Sequence, residues 1–486
     1  MFSMNCVTDF PSITYPTQVS TITGTYTGDY RKEPCHGIPL FNWMGRDYSR
    51  PILRNYGSKD LQIYKMNDDL GQNCQTICEM IDEGNKTSIT QYINRGVDYF
   101  FPDNKRKLVL FYLLINYYRK VRTIIKYANS LVVHKLLDNF KNPTRYFKTD
   151  EPPICSLLWF MSSDILMHQY GNESTLYKLN LLHIDKVIGE LLDGLESLGY
   201  LEDTAIAITA DHGNYKANKV GRVDHLINSL GLTHYHPRNG RSGNMNLAEF
   251  GGVGFFNFKG NNDSLSNSLW PHPSIKDLQS YGPKKVNLLN QLFKIEGTSL
   301  MYYPKKTNSP QKGEVFLKRK INSGQFIHGK LEYRGSGKKM KTRYVMNDGE
   351  KDVFGYYQDE SASDLLDGNY YDLQEWLQAT HHLDFPLYPD LLCRHFKNPR
   401  SADIILSTEG KVTFNIEHGE KKHDLIYKHD IGARKSSIVP LIIGGSPEIP
   451  RKEIEFCKIT DIVPTLLTLL GKNPHYSVIG RNLISL

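Results

Sequence analysis

The sequence predicts an α/β fold: a mostly parallel sheet sandwiched between helices, as in alkaline-phosphatase-like cores, with a smaller α+β or β-rich segment inserted. Three observations predict it. Residues 154–161 are an unbroken apolar run of eight, which suits a strand covered on both faces. Leu176, Leu179, Leu182, Ile184, Val187, Ile188, Leu191, Leu192 and Leu195 then recur at helical spacing up to Gly199, and a second buried strand reads at 204–210. Strand, helix and strand in that order form a βαβ unit, hence a parallel sheet. Beyond residue 402 the pattern returns, with strands at 403–407 and 438–445 and a helix at 459–471.

The other elements follow in chain order. Residues 14–24 read as a short helix, with Pro16 near its start and Gly24 just past its end. Residues 58–98 read as helical and polar, and 105–141 as one or two amphipathic helices. From about 255 to 390 Gly, Asn, Ser, Lys and Tyr dominate, and short alternating runs at 313–317 and 325–333 predict a small antiparallel sheet. Trp270, Tyr302, Tyr303, Tyr356 and Tyr357 lie in this stretch and read as packing residues. The expected organisation is a catalytic core in two pieces, 1–255 and 396–486, interrupted by a cap or specificity segment at 256–395.

Composition narrows the function. At 486 residues, 40% hydrophobic and 23% charged, the chain is neither disordered nor fibrous. A net charge of +7 suits an anionic ligand and does not predict specific nucleic-acid binding. The longest apolar run, Leu108 to Ile115, is far short of the roughly 20 residues that span a bilayer. No basic stretch followed by an apolar one marks a signal peptide, and seven cysteines without a CxxC pattern favour a reducing, cytoplasmic compartment.

Three clusters stand where strands end, which is where ligands bind in open α/β sheets. Asp164 and His168 are four residues apart, on one face if the turn is helical. Asp211 and His212 are adjacent, and Gly213 permits close backbone approach. His418, His423 and His429 precede the strand at 438, and one of them suffices for one metal. Thr14 stands at the mouth of the first helix, where free N–H groups favour an alkoxide and phosphate oxygens. Read alone, Thr14 is a helix cap.

Together these residues carry a resemblance. Phe10 to Gln18, Thr23-Gly24 and Cys35 to Ile38 are similar to the nucleophile region of the type I phosphodiesterase/nucleotide pyrophosphatase branch of the alkaline phosphatase superfamily. Asp164 with His168, the strand leading to Asp211-His212-Gly213, and the tail from Thr460 to Leu483 resemble further marks of the same family in the same order. The resemblance implies a metal-dependent hydrolase of phosphate esters or nucleotides. Thr14 would be the nucleophile. Asp164, His168 and one late histidine would hold one divalent ion, and Asp211, His212 and Thr14 the other. His429 is preferred as the late ligand, with His418 as the alternative. Zn²⁺ suits such ligands best, and Mn²⁺ or Fe²⁺ also fit. Thr17 stands where the family has an Asn that helps bind a phosphoryl oxygen.

The resemblance also implies an opening strand, ending in a metal-binding Asp, a few tens of residues ahead of the nucleophile. Only thirteen residues precede Thr14. The first core strand is therefore expected to be missing, which leaves a non-catalytic relative, a truncated chain or a phosphotransferase as alternatives to a working hydrolase.

Overall fold

The computed structural model describes residues 1–485 apart from 47–50, 58–60, 105, 111–122, 236–242, 250, 261–269, 308, 310, 322–323, 348, 350 and 416–425. The strands are β1 (Phe2–Val7), β2 (Asn42–Gly45), β3 (Ile52–Asn55), β4 (Asn85–Ile89), β5 (Tyr99–Phe101), β6 (Pro153–Leu158), β7 (Ile206–Thr209), β8 (Tyr215–Lys216), β9 (Lys219–Arg222), β10 (Met245–Glu249) and β11 (Val253–Phe258). They continue with β12 (Leu300–Lys305), β13 (Lys312–Lys320), β14 (Phe326–Arg334), β15 (Lys341–Met346), β16 (Tyr371–Asp372), β17 (Ile404–Ser407), β18 (Val412–Asn415), β19 (Tyr427–Lys428), β20 (Ile438–Gly444) and β21 (Cys457–Lys458). The principal helices are α1 (Thr14–Thr23), α2 (Thr123–Lys141), α3 (Ser162–Tyr170), α4 (Thr175–Ser197), α5 (Leu373–Thr380), α6 (Tyr388–Lys397) and α7 (Ile462–Leu469).

Two small sheets carry the site. One is β5-β4-β6, parallel throughout. The other is β21-β1-β20-β7, in which β20 runs antiparallel to both β1 and β7, so the α/β core is mixed. A third sheet, β10-β11-β17-β12-β13-β14-β15-β16, is antiparallel. It contains the antiparallel strands expected in the insert, and also takes β10 and β17 from either side of it.

The predicted elements at 14–24, 174–199 and 459–471 form as helices, and 204–210 and 438–445 as strands. Gly24 ends α1 at φ +66°, and a Cβ there would meet Val463 and Val478 at 3.0 Å. Of the stretch 105–141, Thr123–Lys141 is helical, while part of the remainder lies outside the described residues.

Two expectations fail. Residues 58–98 are not a polar helix: short helical turns lead into β4, whose Thr87, Ser88 and Ile89 are fully buried. Gly84 and Gly96, at φ +70° and +82°, interrupt any helix there, and buried β-branched residues favour the pleated state. β6 and β7, expected as buried strands of one parallel sheet, lie in different sheets, and Ile154 and Ile208 are exposed.

The main core runs continuously from Val7, Phe10 and Val19 through Tyr302, Phe354 and Trp376 to Val463. Tyr302, Tyr356 and Trp270 are buried packing residues, as expected. No described helix is long and apolar enough to cross a membrane.

Candidate metal and phosphate site

Each element delivers its side chain by local necessity. Pro16 cannot donate an amide hydrogen and suits the first turn of α1. The N-cap of α1 is Ile13, which makes no side-chain cap, so the Thr14 hydroxyl is not spent on capping. It lies instead 3.1 Å from His212 Nε2. In α3, Asp164 and His168 are one turn apart and meet, Oδ1 to Nε2, at 3.3 Å. After β7 the chain turns sharply at Gly213, whose amide donates to the Ser436 carbonyl at 2.8 Å. A Cβ on Gly213 would stand 2.9 Å from the Lys435 carbonyl oxygen, so glycine is what lets Asp211 and His212 come in close. His429 follows β19 directly, and its Nε2 is 3.9 Å from Asp164 Oδ1.

Asp164, His168 and His429 thus offer three ligand atoms within 4.8 Å of one another. The rings of His212 and His429 stack at 3.6 Å, only 4° from parallel, which joins this group to Asp211 and Thr14. All five proposed ligand residues and the proposed nucleophile therefore lie in one neighbourhood. His418, the alternative late ligand, lies outside the described residues.

The backbone sets the tautomers. His168 Nδ1 donates to the Tyr427 carbonyl at 2.8 Å, His429 Nδ1 to the Ser12 carbonyl at 3.0 Å, and His212 Nδ1 to the Gly213 carbonyl at 3.1 Å. With Nδ1 committed to a carbonyl, Nε2 of each ring is the nitrogen turned to the site, as in metal-binding histidines. Asp164 Oδ1 is buried and accepts no hydrogen bond. A buried carboxylate oxygen left without a donor, facing two imidazole lone pairs, fits a divalent cation.

The charges agree. Burial pushes the Asp164 carboxyl up, but the facing His168 more than reverses this and holds it well below the usual range. Burial lowers His168 and Asp164 raises it, with a net upward result. Burial and the neighbouring His212 push His429 well below its ordinary value, so it stays neutral. Asp211 is raised, by burial first and also by the charge of Asp164, with His212 opposing.

Sequence reasoning missed two supports. Gln18 Nε2 donates to Asp211 Oδ2 at 3.1 Å and fixes that carboxylate. Ser12 holds His429 from both sides, its carbonyl accepting from Nδ1 while its hydroxyl donates to the His429 carbonyl. Both flank Thr14 in sequence, which is the only signal that points to them. Thr17 is fully buried, and its hydroxyl has no partner among the described residues. Asp9 accepts from the Phe10 amide at 2.7 Å and the Ser20 hydroxyl at 2.6 Å, so it is engaged in holding the start of α1.

Fold and site together define an α/β protein of the alkaline-phosphatase-like class. Residues 2–266 match the model of the type I phosphodiesterase/nucleotide pyrophosphatase family, and the chain belongs to that family. It is thereby of the phosphodiesterase and pyrophosphatase type of hydrolase. A comparison with curated proteins gives no match. Among solved structures, murine ectonucleotide pyrophosphatase/phosphodiesterase 5, as an inactive variant in complex with AMP, is similar in fold at a TM-score of 0.51 and 12% identity, over 97% of this chain and 87% of that one. The same murine protein without that variant gives the same figures. Its human counterpart gives 0.50 and 14%, over 97% and 86%.

Proposed function

We propose that this protein is a metal-dependent hydrolase of phosphate diesters or nucleotides, with Thr14 as nucleophile. The observation that carries this reading is the 3.1 Å contact between Thr14 Oγ1 and His212 Nε2, beside the Asp164, His168 and His429 group. Asp164, His168 and His429 would hold one divalent ion, and Asp211 and His212 the other, next to Thr14. Such ions supply Lewis-acid stabilisation of the phosphoryl oxygens and of the attacking and leaving groups. Zn²⁺ fits the histidine-rich set best.

The chain's own residues do the rest. Thr14 Oγ1 would attack phosphorus as the bond to the leaving oxygen breaks, and that oxygen departs with the proton Thr14 gives up; His212, whose Nε2 is 3.1 Å from Oγ1, positions the hydroxyl for attack. The free amides at the start of α1 favour the phosphoryl oxygens. The Thr17 hydroxyl, a buried donor without a partner, is the second candidate for a phosphoryl oxygen. A phosphothreonine would form and be released by water. AMP in the murine relative supports a nucleotide as substrate.

A second reading has an observation of its own. Among the described residues only Asp164, His168 and His429 form a group of three that could hold a metal, while the Thr14 side has Asp211 as its one carboxylate. A binding protein retaining one ion would look like this. Hydrolysis of a panel of nitrophenyl phosphodiesters with Zn²⁺ or Mn²⁺ separates the two. Turnover lost in Thr14→Ala, with nearly two ions per chain, supports the hydrolase. No turnover and one ion or none supports the binding protein.

A further inference from the structure

The seven cysteines show no pattern along the chain, but four of them meet in pairs in space. Cys6 of β1 is the register partner of Cys457 of β21, and both are fully buried. Cys78 and Cys155 bring their sulfurs to 3.9 Å. Cys155 is the half-buried one of the seven, and the other six are buried. A reagent in solution therefore meets Cys155 first, and behind it a second thiol in contact.

The backbones on both sides of that contact are fixed by other interactions. Cys78 lies in the helical turn Ile77–Met80. Ahead of it the Thr76 hydroxyl accepts from the Glu79 amide at 3.2 Å, and the Glu79 carboxylate accepts from the Thr76 amide at 2.9 Å. Arg95 Nε donates to the same carboxylate at 2.9 Å, and the Arg95 guanidinium also donates to the Cys74 carbonyl. Cys155 is held by the ladder between β6 and β4, in register with Lys86. The Lys86 ammonium favours a thiolate at Cys78, against burial and the neighbouring Cys155, which push that thiol up. What remains free is rotation of the two side chains. A sulfur–sulfur bond of about 2 Å asks each Sγ to move by roughly 1 Å.

We infer that Cys78 and Cys155 form a disulfide when the folded chain meets a low-molecular-weight disulfide such as oxidised glutathione, and that this bond anchors β6 to the turn ahead of β4. The Cys155 sulfur attacks the small disulfide and expels one small thiol, which leaves a mixed disulfide on Cys155. The Cys78 sulfur then attacks Cys155 Sγ and expels the second. Two cysteine protons leave on the two small thiols, and two electrons reduce the small disulfide. Cys6 and Cys457 stay reduced, because the oxidant has no way to two fully buried sulfurs. The two bridged residues are 77 positions apart, so the bond closes a loop that contains β4, β5 and α2. A cross-link over that span constrains the unfolded chain far more than the folded one. It also ties down, from outside the site, the strand that leads into α3 with Asp164 and His168. This inference does not depend on the reading of the site's chemistry.

Peptide mapping tests it without reading activity. The folded chain is treated with oxidised glutathione, its remaining thiols are alkylated, and its peptides are mapped without reduction. Two of the seven thiols should disappear, with one cross-linked species joining the peptides of Cys78 and Cys155. The oxidised chain should melt several degrees above the reduced one. Cys155→Ser should abolish both the cross-link and the rise. Cys78→Ser should instead trap glutathione on Cys155, which separates the attacking sulfur from the resolving one. The map of the unchanged chain decides the matter where a variant does not fold. Seven intact thiols after oxidation overturn the proposal. So does a glutathione adduct that persists on Cys155 of the unchanged chain, and so does a cross-link between other cysteines.

Discussion

The imidazoles of His212 and His429 lie face to face, 3.6 Å apart, with both Nδ1 atoms committed to backbone carbonyls. Burial, and then the His212 ring against it, hold the His429 imidazole well below its ordinary pKa. His429 therefore stays neutral at neutral pH with its Nε2 toward Asp164, while His212 Nε2 faces Thr14.

That arrangement predicts stabilisation by divalent ions. An ion that binds only the folded chain contributes about 2.7 kcal/mol at a hundredfold excess over Kd. Added Zn²⁺ or Mn²⁺ should raise the melting temperature by a few degrees, and a chelator should reverse the rise. His429→Ala should remove most of it. A rise of the same size in that variant would place the ion elsewhere.

Gln18 predicts an effect on rate. Its amide is the hydrogen-bond donor that orients Asp211. A hydrogen bond to a charged group is worth about 1.5–3 kcal/mol. Gln18→Met should lower kcat about tenfold or more and leave KM nearly unchanged, as steady-state kinetics will show. Gln18→Glu should be at least as damaging, because it sets two carboxylates against each other.

The site was more legible in the sequence than the sheet that holds it. Thr14, Asp164, Asp211, His212 and His429 each sit at the end of a strand or in the first turn of a helix, and His168 stands one turn beyond Asp164 on the same face, so these positions can be read from local pattern. Gln18 and Ser12 cannot be read, since nothing local says that an amide one turn into a helix reaches across 193 positions to Asp211. The apolar run at 154–161 reads as a covered strand because pattern reports what a strand is built for. Whether a neighbour fills the adjacent place depends on residues far away in sequence. Residues 58–98 misled for the opposite reason: β4 is only five residues long, and its Asn85 and Lys86 gave no apolar alternation.

His395 predicts acid sensitivity of the fold. It is fully buried among Phe10, Phe255 and Phe396, and burial pushes its pKa down to about 3. The folded chain therefore keeps this ring neutral where the unfolded chain, near the ordinary value of about 6.5, takes up a proton. Between those values the unfolded state binds more protons, so stability falls as pH falls, by about 1.4 kcal/mol for each unit. His395→Met should flatten the decline of denaturant-measured stability between pH 6.5 and 4.5 by roughly 2–3 kcal/mol. An unchanged slope would show that the ring is not held neutral.

Arg46 predicts how firmly the antiparallel sheet is tied to β2. Arg46 and Asp403 are both buried and form an ion pair, with Arg46 also donating to Asn257 at 3.0 Å. Asp403 in turn accepts from the Phe258 amide at 2.8 Å. Burial alone would raise the Asp403 carboxyl, but Arg46, followed by His272, holds it well below the usual range. At neutral pH the pair is fully charged, and its contribution is lost only as pH falls below the ordinary carboxylate range. Removing one partner strands a buried charge, at a cost of about 3–5 kcal/mol. Arg46→Met should therefore destabilise the protein by that amount in urea or guanidinium unfolding. Arg46→Met combined with Asp403→Leu should restore most of the loss, because the desolvation cost of both charges disappears with them. If the double variant is as unstable as the single one, the Phe258 and Asn257 hydrogen bonds, rather than the charge pair, hold β2 against β11 and β17.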